Sequence, residues 1–239
     1  MSLQTELSVQ FVATPPDNPF LAMESITVDA VDARTGLCAM DTETRTVIER
    51  SFRLRHDYFV RRRRWVPEDA RFPGLETDRY DVHAVHFAAT CEGDVRAYLR
   101  ALPFDPSVGF MLDDELSASL SDSDRRDLQR ERALELSRLV CVPCACAGRS
   151  STHHPMELLL RRLYRFAQVH EYRIFYVVVE PAWLQPFERR FGLPFRAIGK
   201  PYTFPDGTAT VAAAATLPEL ENGMRRHSHE KFKWYSEGI

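Results

Sequence analysis

The chain has 239 residues, 44% of them apolar and 27% charged, with a formal net charge of −3. That is the composition of an ordinary globular protein of one sizeable domain or two small ones, and it argues against a protein built mainly to coat nucleic acid. No apolar run approaches the roughly 20 residues that span a bilayer, and MSLQTELSVQF lacks a basic start followed by an apolar core, so cytoplasmic residence is the expectation.

Residues 1–40 alternate short apolar stretches with breaks such as TPPDNP and read as an irregular N-terminal arm with one strand near Ser25–Val31. Residues 41–239 read as a single domain. Asp41 or Thr42 caps a helix in which Val47, Ile48, Phe52, Arg55 and Phe59 recur at helical spacing, with Arg55 at the edge of the apolar face. Arg61–Arg64 follow, and then a loop punctuated by Pro67, Pro73 and Gly74. VHAVHFAAT (82–90), a tight turn at Glu92-Gly93-Asp94 and VRAYLRALP (95–103) form an antiparallel hairpin. Leu112, Leu116 and Leu120 mark a short helix, and 121–132 is a charged stretch.

ELSRLVCVP (135–143) reads as a buried strand and CACAGRSSTHH (144–154) as a loop of small residues. Pro155 opens a long helix. YRIFYVVVE (172–180) is an apolar strand, PAWLQPFERRFG (181–192) a helix with Gly192 as its C-cap, and PFRAIG and GTATVAAAAT are two last strands. The strand–helix–strand from 135 to 180 predicts a parallel crossover. The fold class is therefore α+β, an α/β/α sandwich whose mixed, twisted sheet carries helices on both faces.

The five cysteines are Cys38, Cys91, Cys141, Cys144 and Cys146. An odd count is no disulfide framework. Cys141-x2-Cys144-x-Cys146 has no second ligand pair at zinc-finger spacing, and Asp78-x2-Asp81 reads as a turn into a strand, so no metal site is expected.

Four spacings carry chemistry: Arg55-x3-Phe59-x5-Trp65, then Asp78-x2-Asp81, then Arg100 in RALP, then Glu135-x2-Arg138 in ELSR. In this order they resemble the acyl-homoserine lactone synthases, from about Arg53 to Pro143. EPAWLQPFERRFGLPFRAIGKP is more similar to the acyltransferases associated with PEP-CTERM and exosortase systems and to the related N-acyl amino acid synthases. Both groups resemble the wider GNAT acyltransferase fold. The resemblance implies transfer of a fatty acyl group from an acyl carrier protein or coenzyme A thioester to the amine of an amino acid or related compound. The alternative acceptor is S-adenosylmethionine, which gives a lactone. No tightly bound cofactor is implied. GNAT enzymes often carry a glycine-rich phosphate loop, whereas CACAGRSSTHH has only Gly148; this favours a carrier-protein donor.

The residues can be given roles from the chemistry. An α-amino group has a pKa of roughly 8 and must lose its proton before it attacks a thioester. Glu135, in mid-sheet, is the candidate base, with Arg138 and Arg100 completing the candidate catalytic set. Backbone N–H groups of Cys141 or Val142, where two parallel strands splay after residue 138, are candidate donors to the oxyanion. The same splayed edge can pair with a pantetheine arm. Glu135 and Arg138 lie three apart in a strand and so should point to opposite faces. Arg138 is then expected to pair with Asp78 or Asp81, and Arg100 with Glu135 or a substrate carboxylate.

Arg55, Phe59 and Trp65 read as a lid over a small-molecule site. By the resemblance, Asp78 and Asp81 contribute to the pocket of the amine. Phe104, Phe110, Met111 and Tyr176, with Leu158, Leu159 and Val178, are candidate lining for an acyl chain. Arg61–Arg64 read as a solvated charged end, or as a dock for an acidic acyl carrier protein. Three other readings stand beside these: a purely structural ion network, a nucleic-acid module stacking bases on Phe59 and Trp65, and a catalytically silent relative.

Overall fold

The structure, a computed structural model, describes residues 27–35, 40–114, 117, 120–142, 154–203 and 207–237. The strands are β1 (Thr27–Asp32), β2 (Val85–Cys91), β3 (Asp94–Pro103), β4 (Ala133–Cys141), β5 (Ile174–Val179), β6 (Arg196–Ala197), β7 (Tyr202–Thr203) and β8 (Ala209–Thr216). They form one sheet in the order β1-β2-β3-β4-β5-β8-β6, with β7 also paired to β8. Every pairing is antiparallel except β4 with β5.

The helices are α1 (Thr42–Arg55), α2 (Asp122–Asp127), α3 (Pro155–Val169), α4 (Leu184–Phe191), α5 (Leu217–His227) and α6 (His229–Ser236). Local chemistry sets their ends. Asp41 accepts from the Thr44 N–H at 2.8 Å to start α1. His154 Nδ1 accepts from the Met156 N–H at 3.2 Å, and Pro155 follows it, to start α3. Gly192, at φ 70°, ends α4 as expected from the sequence. The expected long first helix is real but changes character: after Arg55 it widens into a π-helical turn, His56–Arg62. Of the helix expected over Leu112, Leu116 and Leu120, the described part is a 3-10 turn, Met111–Asp113, and Leu116 lies outside the described residues. The two C-terminal helices α5 and α6 were not anticipated.

Alternation along the strands divides the core in two. Val85, Phe87, Leu99, Leu134, Leu136, Phe175 and Val177 pack with Leu159 and Leu163 of α3, Leu217 and Met224 of α5 and Tyr235 of α6. On the opposite face Leu102, Ala133 and Tyr176 pack with Tyr80, Phe110, Met111 and Leu112. Beside them Tyr98, Ala88 and Val140 pack with Phe59. Cys91, at the end of β2, is disulfide-bonded, which the odd cysteine count gave no reason to expect. No helix among the described residues is long and apolar enough to cross a membrane.

Candidate active site

The face of the sheet that carries α1 also carries polar side chains where apolar ones would be the rule. Arg55, from the last turn of α1, and Arg100, on β3, are fully buried. Between α1 and β2 the loop supplies Glu76, Asp78 and Asp81. Arg55 donates through Nε to Glu76 at 2.5 Å and through Nη1 and Nη2 to Asp81 at 2.6 and 3.1 Å. Arg100 Nη1 donates to Asp78 at 2.5 Å and Asp81 at 2.9 Å. Arg138 donates through Nε to Glu76 at 3.1 Å and through Nη2 to Asp78 at 3.0 Å. Each guanidinium bridges two carboxylates and each carboxylate two guanidiniums, so the six side chains close into an alternating ring.

A buried charge without a partner is costly, and the ring leaves none of its six members unmatched. Burial opposes ionisation of the three carboxyls. Arg138 and Arg55 overcome it at Glu76, Arg100 and Arg138 at Asp78, and Arg55 and Arg100 at Asp81, so all three stay below the ordinary carboxylate range. Burial likewise opposes the charge on Arg55 and Arg100, and Asp81 foremost among their partners holds both protonated.

A neutral arm extends from the ring. His86 Nε2 lies 2.9 Å from the Asp81 carbonyl, which can only accept, so Nε2 carries the proton. Nδ1, 2.6 Å from the Tyr98 hydroxyl, is then the acceptor. The Tyr98 oxygen in turn accepts from Arg55 Nη1 at 3.3 Å. Burial keeps His86 neutral, with a pKa of about 4, and pushes Tyr98 well above its ordinary value.

Glu135 lies outside the ring. Its Oε2 accepts from the Leu112 N–H at 3.1 Å, and its Oε1 has no hydrogen-bond partner among the described residues. The expected pair with Arg100 does not form, because Arg100 is taken by Asp78, Asp81 and Ser137 Oγ at 3.0 Å. Burial pushes the Glu135 carboxyl up to about 7, against the pull of the Leu112 N–H and Arg100. Glu135 and Arg138 were expected on opposite faces. Instead Arg138 sits at φ 56°, and the β3–β4 register shifts between Tyr98 and Arg100. The bulge adds one residue to β4, so Leu134, Leu136, Leu139 and Cys141 share the α3 face while Val140 returns to the face of Ala133. Glu135 and Arg138 thereby reach the same side.

The parallel pairing of β4 with β5 runs from Ala133–Ile174 to Leu136–Val177 and stops there, two residues earlier than expected. Both strands continue, β4 to Cys141 and β5 to Val179, leaving a gap between them. The Val142 N–H does not face it: this group donates to the Arg96 carbonyl at 2.9 Å. By strand alternation the N–H groups of Leu139 and Cys141 point the other way, toward β5.

The remaining candidates are placed as follows. Phe59 is buried against Tyr98 and Val140, and the Arg138 guanidinium lies 5.7 Å from its ring centre. Trp65 donates through Nε1 to Thr208 at 3.2 Å and carries Arg63 stacked 4.2 Å from its ring centre. The four arginines do not act as one group. Arg61 pairs with Asp57 one turn back, and Arg63 pairs with Glu180, just past the end of β5. Phe104, Phe110 and Tyr176 pack ring on ring at 5.2 and 5.8 Å, with Met111 in the same cluster. Leu159 belongs to the core on the other face and cannot line the same channel. Cys144, Cys146 and Gly148 lie outside the described residues.

No family model matches the sequence, and no curated protein matches it. Solved structures do. A coenzyme A-dependent acyl-homoserine lactone synthase, BjaI, with S-adenosylmethionine and isopentyl-CoA, matches at 22% identity over 85% of this chain and 90% of that one, with a TM-score of 0.63. Another, MesI, matches at 24% identity over 84% and 94%, with a TM-score of 0.62. FeeM, an N-acyl amino acid synthase from uncultured soil microbes, matches at 13% over 74% and 94%, with a TM-score of 0.52. The chain has the fold of these synthases. The mixed sheet with helices on both faces, expected from the order of elements, is thus present, with the parallel β4–β5 pair at its centre.

Sequence reasoning missed Glu76, His86, Tyr98, Ser137 and the Leu112 N–H. One of these had a signal: Tyr98 stands two residues before Arg100 on β3, the spacing that puts strand side chains on one face, whereas Glu76 lies in a loop with no such periodicity.

Proposed function

We propose that the protein is an N-acyltransferase that moves an acyl group from a thioester to the amine of an amino acid or related amino compound. The observation that carries this reading is Glu135: a buried carboxyl, unpaired by any guanidinium among the described residues, with a pKa of about 7, on the strand that opens into the β4–β5 gap. The amine nitrogen attacks the thioester carbonyl and forms the C–N bond. The C–S bond breaks and the sulfur leaves as a thiolate; the proton lost by the attacking nitrogen passes to Glu135 Oε1 directly or through one water, and its return to the sulfur completes the thiol. The turn Met111–Asp113, whose Leu112 covers Glu135, shifts to admit the amine. Amides of Leu139 and Cys141 face the place where the oxyanion develops; one such donor is typically worth about 3 kcal/mol. The thioester donor is an acyl carrier protein or coenzyme A.

A second reading has S-adenosylmethionine as acceptor and an acyl-homoserine lactone as product. It is favoured by the likeness to a synthase bound to that compound. The nucleic-acid reading loses its stacking groups, since Phe59 is buried and Trp65 is fixed by Thr208 and Arg63.

The test is to incubate the purified protein with acyl-CoA or acyl carrier protein and either a panel of amino acids or S-adenosylmethionine. Thiol release is followed together with mass spectrometry of the products. The expected result is an N-acyl amino acid; a lactone decides for the second reading. Thiol release that depends on the amine, and is lost in Glu135→Gln, supports transfer. Equal release with and without amine, unchanged in that variant, sinks it. For a carrier-protein donor, kcat/KM falls as salt rises, and for acyl-CoA it does so much less.

A further inference from the structure

The motif residues account for five of the six members of the ion ring; Glu76 is the sixth, and no sequence spacing assigned it a part. We infer that Glu76 is a positioning residue for the transfer: it closes the ring, matches three guanidiniums with three carboxylates, and so keeps Arg138 from capturing Glu135. This rests on the reading of Glu135 as the base.

Geometry and charge count lead to the same place. Glu76 holds Arg55 on one side and Arg138 on the other, and it is almost wholly buried. Arg138 is the most exposed of the three guanidiniums, with 13% of its side chain exposed against none for Arg55 and Arg100, and the bulge has brought it to the face of Glu135. Several charged or titratable groups face Glu135. They are Arg100 from β3, Arg138 from its own strand, Asp113 (paired with Arg130) from the turn above, and Tyr176 from β5. With Glu76 ionised, Arg138 has two carboxylates to hold and none of its donors needs Glu135. With Glu76 neutral, the ring has three cations and two anions. The excess positive charge then draws Glu135 into the carboxylate form and offers Arg138 a new partner. A carboxylate locked in an ion pair takes a proton poorly at neutral pH, and Arg138 is pulled from its place beside the gap.

Titrating the Glu135 carboxyl by 13C NMR, with the resonance assigned by its loss in Glu135→Gln, tests this without any substrate. Glu76→Gln is expected to lower the Glu135 midpoint by about one pH unit. Arg138→Gln, which leaves one anion in excess, is expected to raise it. The double variant Glu76→Gln/Arg138→Gln, with two cations and two anions, is expected to bring it back toward the parent value, which a loss of packing alone does not do. The acid limb of the kcat/KM profile should move with each midpoint. A Glu135 midpoint unchanged in folded Glu76→Gln and in Arg138→Gln overturns the inference; if Glu76→Gln does not fold, Arg138→Gln decides alone. Midpoints that move as expected while Glu135→Gln transfers acyl groups normally uphold the electrostatic role of Glu76 and remove the catalytic one, so the two readings fail separately.

Discussion

At Glu135 the important fact is what does not touch it. Three arginines lie on its side of the sheet, and all three are committed to Glu76, Asp78 and Asp81. Its burial therefore acts without a counter-ion, and the carboxyl stays protonated until about pH 7. Two predictions belong at this scale. Glu135→Gln keeps an acceptor for the Leu112 N–H but cannot take a proton. The fold should persist while kcat/KM for acyl transfer drops by about 10²- to 10⁴-fold, and the rise of activity through pH 7 should disappear. Arg55→Lys tests the ring instead. One ammonium cannot reproduce a planar fork that reaches Glu76, Asp81 and the Tyr98 hydroxyl together. Urea unfolding should show a loss of about 3 kcal/mol or more, as for breaking a buried pair. Arg61→Lys, in an exposed pair with Asp57, should cost well under 1 kcal/mol.

Elements are where the sequence was easiest and hardest to read. Apolar periodicity and terminal signals placed α1, α3, α4 and the strands β2 to β5 within a few residues, because those patterns are local. The bulge in β4 was not legible. Ser137 and Arg138 look like any strand pair, and only the fit of β4 against β3 forces Arg138 to φ 56°, a conformation that non-glycine residues adopt rarely. From that single extra residue came the mistaken faces of Glu135 and Arg138. The ring shows the same division: its Asp and Arg members stood in recognisable spacings, while Glu76 became visible only when the loop folded back on α1. The close approach of α4 and α5 was also hidden. A Cβ on Gly223 would collide with the Gly192 carbonyl and come within 2.7 Å of Pro194 Cδ. Gly223→Ala should then lower stability by about 2 kcal/mol or more in thermal or urea unfolding, well beyond the small gain expected of alanine in an open helix position. A Gly223→Ala variant as stable as the parent would mean that the two helices do not pack this closely.

At the scale of the whole molecule, two buried groups among the described residues, His86 and Glu135, pull stability in opposite directions with pH. His86 has a folded pKa of about 4 against an ordinary 6.5. The unfolded chain binds its proton first, so stability falls as pH drops from about 6.5 to 4. Glu135 has a folded pKa of about 7 against an ordinary 4.5. Its contribution is full below about 4.5 and is lost as pH rises through 7. Each is worth about 3 kcal/mol across its window. Between about pH 4.5 and 6.5 the two slopes oppose each other, and the parent should show a nearly flat stability curve. Glu135→Gln removes one slope and unmasks the other: its stability should rise by about 3 kcal/mol from pH 4.5 to 6.5, and it should outlast the parent most clearly above pH 7. Below about pH 4 both proteins should weaken together, because Glu76, Asp78 and Asp81 are held ionised by the ring and must be protonated for it to open. Urea midpoints from pH 4 to 8 check this. A Glu135→Gln curve parallel to that of the parent would show that Glu135 is charged in the folded protein at neutral pH, and with that its fitness as the base would be lost.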